Sequence, residues 1–270
     1  MNNTQTLSAD SVLQSGLLPI GRTLRAYGLE AGFETLAALR TAGFAIPFLV
    51  LPVAIYVLFG VLIAGNVADG GEYGPGLANY LFSGFSVLAV TMPGIFSCTI
   101  LATERQGQLL KLKRAMPLPP GAIIIAKVAM VLVIAAIAVT LVSIAALLAG
   151  NLTISMSQVM IICAVLIIGA IPFCAIGLLI GTLVSGSAAP AWGNLVFLPM
   201  MWLSGLFIPL PGFLQNWVII WPTFHLNQLA LGLAGVDQFV YIPWTMAAAV
   251  LLGLTVLCGG MAIRRLARIG

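Results

Sequence analysis

Long stretches without a single charge alternate along the chain with short stretches where charges crowd. No Asp, Glu, Lys or Arg occurs between Arg40 and Asp69, between Glu72 and Glu104, between Lys127 and Asp237, or between Asp237 and Arg264. A helix needs about 20 predominantly apolar residues to cross a bilayer. The first two gaps hold one span each, Thr41–Ile63 and Ala78–Ala102. Polar turns at Gly150-Asn151-Leu152-Thr153 and Ser185-Gly186-Ser187 divide the third gap into Ile123–Ala149, Gln158–Val184 and Ala189–Phe207. The last gap predicts a sixth span, Tyr241–Ile263. The expected fold class is an all-α membrane protein with six transmembrane helices.

Two stretches depart from this pattern. Between the fifth and sixth spans, Pro209-Leu210-Pro211-Gly212 breaks the helix. The apolar pieces that follow, 216–221 and Leu226–Leu233, flank Pro222 and are each too short to cross. They predict a re-entrant or interfacial helical hairpin, which is tolerated only where protein or a cavity covers its backbone. One poorly formed extra span is the alternative. At the other end, Leu18–Arg40 reads as an interfacial helix. Leu17, Ile20, Leu24 and Tyr27 form one stripe, and Leu29, Phe33 and Leu36 form another, rotated past Gly28. That shift predicts a bend at Gly28. The expected organisation is a cytoplasmic tail and interfacial helix over 1–40, a membrane domain over 41–263 and a cytoplasmic tail over 264–270. Within the membrane domain lie a loop at 103–121 and the re-entrant segment at 209–236.

Composition agrees with this reading. Hydrophobic residues make up 61% of the 270 and charged residues 7%, against roughly 25% charged in soluble domains. An ordinary soluble globule, a disordered chain and a nucleic-acid binder are excluded. The placement of charge orients the spans. With six crossings, all 11 Lys and Arg residues fall on the side of the two termini, while Asp69, Glu72 and Asp237 fall on the other. The positive-inside rule puts both termini in the cytoplasm. Residues 1–14 are polar, contain no Lys or Arg, and do not read as a signal peptide.

Candidate chemistry is sparse. The one histidine, His225, excludes a two-His metal site. Pairing His225 with Ser187 or Ser204 lacks both a Gly-x-Ser-x-Gly elbow and a third orienting group. An interfacial side chain that caps or bridges the hairpin is the preferred reading. No phosphate-binding Gly-x-x-x-x-Gly-Lys-Ser/Thr loop occurs, and no ionisable residue sits mid-span, which disfavours an ion-driven pump. Cys98, Cys163, Cys174 and Cys258 all fall inside spans and read as small apolar side chains. Gly177-x-x-x-Gly181 on the fourth span suits close helix packing, and Pro172 suits a kink there.

The loop after the second span carries the most information. Leu109, Leu112 and Met116 share one helical face, with Lys111, Lys113 and Arg114 around them and Pro117 ending the run. Such a helix fits a groove on another protein; anchoring to anionic lipid is the alternative. Together with Glu104-Arg105-x-Gly107-x-Leu109, this loop resembles the signature of type-2 ATP-binding-cassette export permeases. The stretch Ser204-Gly205-Leu206-Phe207-Ile208-Pro209-Leu210-Pro211, followed by Pro222-x-x-His225, is similar to that family's re-entrant segment. Two positions depart from the family pattern. Gln108 stands where Thr often follows the loop glycine, and the neighbourhood of Leu231 lacks the Arg often found there.

The resemblance implies a subunit of the bacterial inner membrane that works as a dimer with a second copy or a paralogue, among membrane lipid. Each copy would sit on a separate ATP-binding-cassette ATPase. That partner would hold ATP and Mg, and this chain would carry no cofactor and no catalytic residue. Glu104, Arg105, Gly107, Leu109, Leu112 and Met116 would receive the force from ATP binding. Gly205, Pro209, Pro211, Pro222 and His225 would form the re-entrant segment. The expected cargo is a hydrophobic or amphipathic small molecule such as a drug, an antibiotic or a lipid. Lipid-linked polysaccharide is the alternative within the family. A membrane-embedded lipid-modifying enzyme, or an assembly subunit that transports nothing, are the alternatives outside it.

Overall fold

The structure is a computed structural model, and it describes residues 20–63, 76–115, 119, 121–150, 152–207 and 215–269. The described residues are helical throughout their regular structure, with no strand among them. Helix α1 (Ile20–Arg40) runs without interruption through Gly28, where a bend was expected. Its two apolar stripes lie on one continuous helix. Leu24, Leu29, Phe33 and Leu36 all face outward, while Glu30 and Glu34 turn inward.

Thr41 takes an extended conformation and separates α1 from α2 (Ala42–Ile55). Helix α2 contains Pro47 and Pro52, and past them the ladder widens into a π-helix over Tyr56–Ile63. A proline removes one ladder hydrogen bond and crowds the carbonyl four residues back. Helices α3 (Gly76–Thr99) and α4 (Leu101–Gln106) form one long span with a short step at Ile100. Helix α5 (Leu109–Ala115) follows, then α6 (Ala122–Ala149), which begins and ends beside glycines in the left-handed region, Gly121 and Gly150. The next span divides into α7 (Met156–Ile168) and α8 (Ala170–Leu183). The step at Gly169 lies next to Ile168, the residue whose carbonyl the Pro172 ring crowds.

Helix α3 is the centre of the bundle. In the most apolar stretch of the span it begins, 83% of the residues are buried, against 22% in those of Ala42–Leu62 and the last span. The seam between α3 and α8 is built on glycines. A Cβ on Gly177 would stand 2.2 Å from the Ile95 carbonyl oxygen, and one on Gly181 would stand 2.9 Å from that of Cys98. The Gly-x-x-x-Gly pair therefore serves packing within the chain. The same seam brings the Cys98 and Cys174 thiols to 2.9 Å.

Five helical segments are long and apolar enough to cross a membrane, among the described residues: Ala42–Leu62, Gly76–Gln106, Ala122–Ala149, Met156–Leu183 and Trp244–Arg268. The stretch expected as a fifth span, Ala189–Phe207, yields a shorter helix, α9 (Ala189–Trp202). Its 14 residues rise about 21 Å, less than the roughly 30 Å hydrocarbon core. The chain leaves the helix at Leu203 and turns at Gly205, which has φ +71°. Two short helices follow, α10 (Gln215–Val218) and α11 (Pro222–Ala234), then a 3-10 turn at Asp237–Phe239 and the last helix, α12 (Trp244–Ile269). Helix α11 is buried among α3, α7 and α12. Protein therefore covers the backbone of this short element, as its length requires.

Candidate functional site

The loop after the second span folds into an elbow. Helix α4 ends at Gly107, whose N–H donates to the Thr103 carbonyl at 2.8 Å. Gln108 then takes φ +62° and starts α5 in a new direction. The Arg105 guanidinium donates to the carbonyl oxygens of Thr182 and Val184, the latter at 2.6 Å. These carbonyls end α8, where the helix dipole places partial negative charge. The Gln106 side-chain oxygen accepts from the Gly186 N–H at 2.9 Å. Elbow and turn after α8 are thus joined as one body. On α5, Leu110 packs inward at 7% exposure, while Leu109 and Leu112 stand out at 49% and 63%. Met116, expected on the same face, lies outside the described residues, as does Pro117.

Behind the elbow lies a chain of charges. Lys113 of α5 donates to Glu30 at 2.7 Å and to Glu34 at 2.6 Å, both on α1. Lys127 of α6 donates to Glu104 at 2.8 Å and stands 3.6 Å from the second oxygen of Glu34. Glu34 therefore bridges the two ammonium groups, and the series ties α1, α4, α5 and α6 together. Burial pulls the Glu34 carboxyl upward, but the Lys127 charge and the Lys113 hydrogen bond outweigh it and hold the group below its ordinary value. Burial pulls the Lys113 ammonium downward, yet its bonds to Glu30 and Glu34 raise it above its ordinary value.

Sequence reasoning placed Glu104 in the elbow but did not connect it to Glu30, Glu34, Lys113 or Lys127. One signal was there to read. Glu30 and Glu34 are four apart on a helix and so share a face. Lys127 stood among the residues that orient the chain, yet its side chain is buried to 1% exposure.

The residues expected in the re-entrant segment lie elsewhere. His225, on α11, is fully buried, and its Nε2 meets the Ile219 carbonyl at 2.8 Å across the Pro222 turn. The Gly205 carbonyl accepts from the Tyr80 hydroxyl of α3. Pro209 and Pro211 fall outside the described residues. Around this region, at the end of the bundle opposite the elbow, neutral groups pair. Asn79 donates to the Thr153 hydroxyl at 2.6 Å and accepts from the Thr153 N–H at 3.1 Å. Gln228 donates to the Phe239 carbonyl at 3.1 Å and accepts from the Tyr241 N–H at 2.7 Å. Gln158, which also closes a capping box with Ser155, donates to the Ala234 carbonyl at 3.0 Å.

Compared with known proteins, residues 32–241 match the family model described as ABC-2 type transporter. No curated protein matches the chain.

Proposed function

Because the chain belongs to the ABC-2 type transporter family, we propose that it is the membrane permease subunit of an ATP-driven exporter, carrying hydrophobic or amphipathic small molecules out of the cytoplasm. Two permease subunits assemble in the bacterial inner membrane, each seated on a separate ATPase that holds ATP and Mg. Both termini are cytoplasmic, a reading supported by the one-sided placement of Lys and Arg that six crossings give. The chain crosses six times, with α9 as the core of the fifth crossing and α10–α11 as a re-entrant hairpin. The outward apolar face of α1 lies along the inner headgroup layer.

One observation carries this reading. Helix α5 holds two leucines outward, while Lys113, on the same helix, fastens it to α1 and, through Glu34 and Lys127, to α6. An apolar face on a firm mount suits a helix that takes force from a partner and passes it into the spans. In this mechanism the ATPases close on ATP, push α5 and α1 together, and reorient the bundle toward the outside. The chain itself performs no ATP chemistry.

The test is a pair of substitutions at matched membrane abundance, read by ATPase co-purification and stimulated ATP turnover. Truncating an apolar anchor in such a groove costs about 1–3 kcal/mol of association. Leu112→Asp should cost more, because an unpaired carboxylate enters an apolar groove. Lys111→Gln removes an exposed flanking charge and should have little effect. A lipid anchor would reverse that order. Full coupling in Leu112→Asp with loss in Lys111→Gln would remove the docking assignment.

A further inference from the structure

A cavity of about 200 Å³ lies beside the charge series, walled by Glu34, Ser97, Glu104 and Lys127 and by apolar side chains that include Phe44 and Met130. It shares Glu34 and Ala37 with a larger, more open groove of about 570 Å³ along α1, which Leu29, Phe33 and Lys113 also line. Together they reach the size of small-molecule sites, about 300–1,000 Å³.

Two buried polar atoms on residues that wall the inner cavity are left over. Glu104 Oε2 is buried and has no hydrogen-bond partner among the described residues. The Ser97 hydroxyl, on a fully buried residue, has none either. An unpaired buried carboxylate oxygen is costly. The charges are also uneven: among the described side chains, three carboxylates, Glu30, Glu34 and Glu104, pair with two ammonium groups, Lys113 and Lys127.

We propose that this cleft binds an amphipathic organic monocation. Its ammonium donates to Glu104 Oε2 and Ser97, and its hydrocarbon lies against Phe44 and Met130 and leaves beside Leu29 and Phe33 toward the lipid that covers the outer face of α1. One positive charge completes the series. A bound metal ion does not fit, because hard cations take six or more oxygen ligands and much of this cavity wall is apolar. An aminophospholipid fits poorly, because its phosphate would bring a further negative charge to a cluster of carboxylates. This site goes beyond the export reading. Binding is measured without ATPase or ATP, so its failure leaves that reading standing.

The experiment uses the full chain in phosphatidylcholine nanodiscs, with radiolabelled decylamine as probe and empty nanodiscs subtracted. Decylamine should bind saturably, one per chain, and decanol should not. Glu104→Gln removes the charged acceptor and should weaken binding about 10–100-fold, and Ser97→Ala about 2–10-fold. Ala37→Trp closes the passage from an exposed position and should abolish binding without disturbing the interior. Ser97→Ala and Ala37→Trp keep the test decisive should Glu104→Gln fail to fold. Equal saturable binding of decanol overturns the proposal, as does decylamine binding that survives Ser97→Ala and Ala37→Trp unchanged. Replacing part of the lipid with phosphatidylethanolamine should leave the affinity unaltered; competition by that lipid overturns the choice of occupant.

Discussion

The two ends of the bundle are both held by polar contacts between residues far apart in sequence, but the chemistry differs. At the end opposite the elbow the pairs are neutral and self-contained. Asn79 and Thr153 exchange two hydrogen bonds, and the Gln228 amide satisfies one carbonyl and one N–H. Losing one such pair leaves the others intact. At the elbow the contacts form a series, with Glu34 divided between Lys113 and Lys127. Removing either lysine strands a carboxylate, Glu30 for Lys113 and Glu104 for Lys127. The far end is held by separate neutral pairs, whereas the elbow is tied into one body, which suits the force-receiving role proposed for it.

The largest difference should appear on Lys127→Met. Taking out a fully buried ammonium leaves Glu104 uncompensated, and breaking a buried pair this way costs about 3–5 kcal/mol. Asn79→Ala, at the end opposite the elbow, should cost only about 1–3 kcal/mol. Both are read as thermal unfolding in mild detergent. Adding Glu104→Gln to Lys127→Met should recover much of the loss, since the stranded charge goes with it, whereas Glu104→Gln should not rescue Asn79→Ala. Equal losses from the two single variants would erase the distinction between the ends.

A smaller effect should follow pH. Glu34 is held below its ordinary 4.5, so its contribution is complete above that value and fades as acid protonates the folded carboxylate. Lys113 is held above its ordinary 10.5, so its contribution is complete below that value and fades as base neutralises the folded ammonium. The stability difference between the native chain and Glu34→Gln should therefore be level from about pH 4.5 to 10.5 and shrink on both sides. The effect should fall short of that of Lys127→Met, because Glu34 and Lys113 keep some contact with water. The difference between native and Asn79→Ala should show no such window. A flat Glu34→Gln profile through strong acid would mean that the elbow, too, is held by neutral contacts.

This contrast also sets how much of the molecule was legible in the sequence. The spans could be read because lipid forces local regularity: about 20 apolar residues, with charges expelled to the ends. The outward face of α5 could be read because Leu109 and Leu112 lie one turn apart. The charge series could not, because Lys113 meets Glu30 across 83 positions and no local period records such a contact. Helix α1 was legible from its apolar stripes as an interfacial helix, but the inward turn of Glu30 and Glu34 was not, because the Lys113 that holds them lies on a distant helix. Helix α9 falls short because Gly205 turns the chain under α3. There a Cβ on Gly84 would stand 2.2 Å from the Leu206 carbonyl oxygen, a closeness that span length does not record.

The finest difference between the ends lies in their turns. The turns that follow α6, α9 and α11 reach the left-handed region on Gly150, Gly205 and Gly235, with φ between 67° and 71°. The elbow reaches it on Gln108, the one residue other than glycine at positive φ among the described residues. A side chain in that region costs about 1–2 kcal/mol. Gln108→Gly should relieve that strain, offset in part by the greater freedom glycine gives the unfolded chain, for a net gain of at most about 1 kcal/mol. Gln108→Thr installs the residue common in the family at this position, but a β-branched side chain tolerates positive φ poorly. It should lower thermal stability, or shift the elbow so that α5 points elsewhere and ATPase stimulation falls. The measurement is the unfolding midpoint and the stimulated ATP turnover of both variants beside Leu112→Asp. A threonine variant that is both more stable and fully coupled would mean that the elbow does not turn on a left-handed residue, and that Arg105 and Gln106 alone hold it against the end of α8.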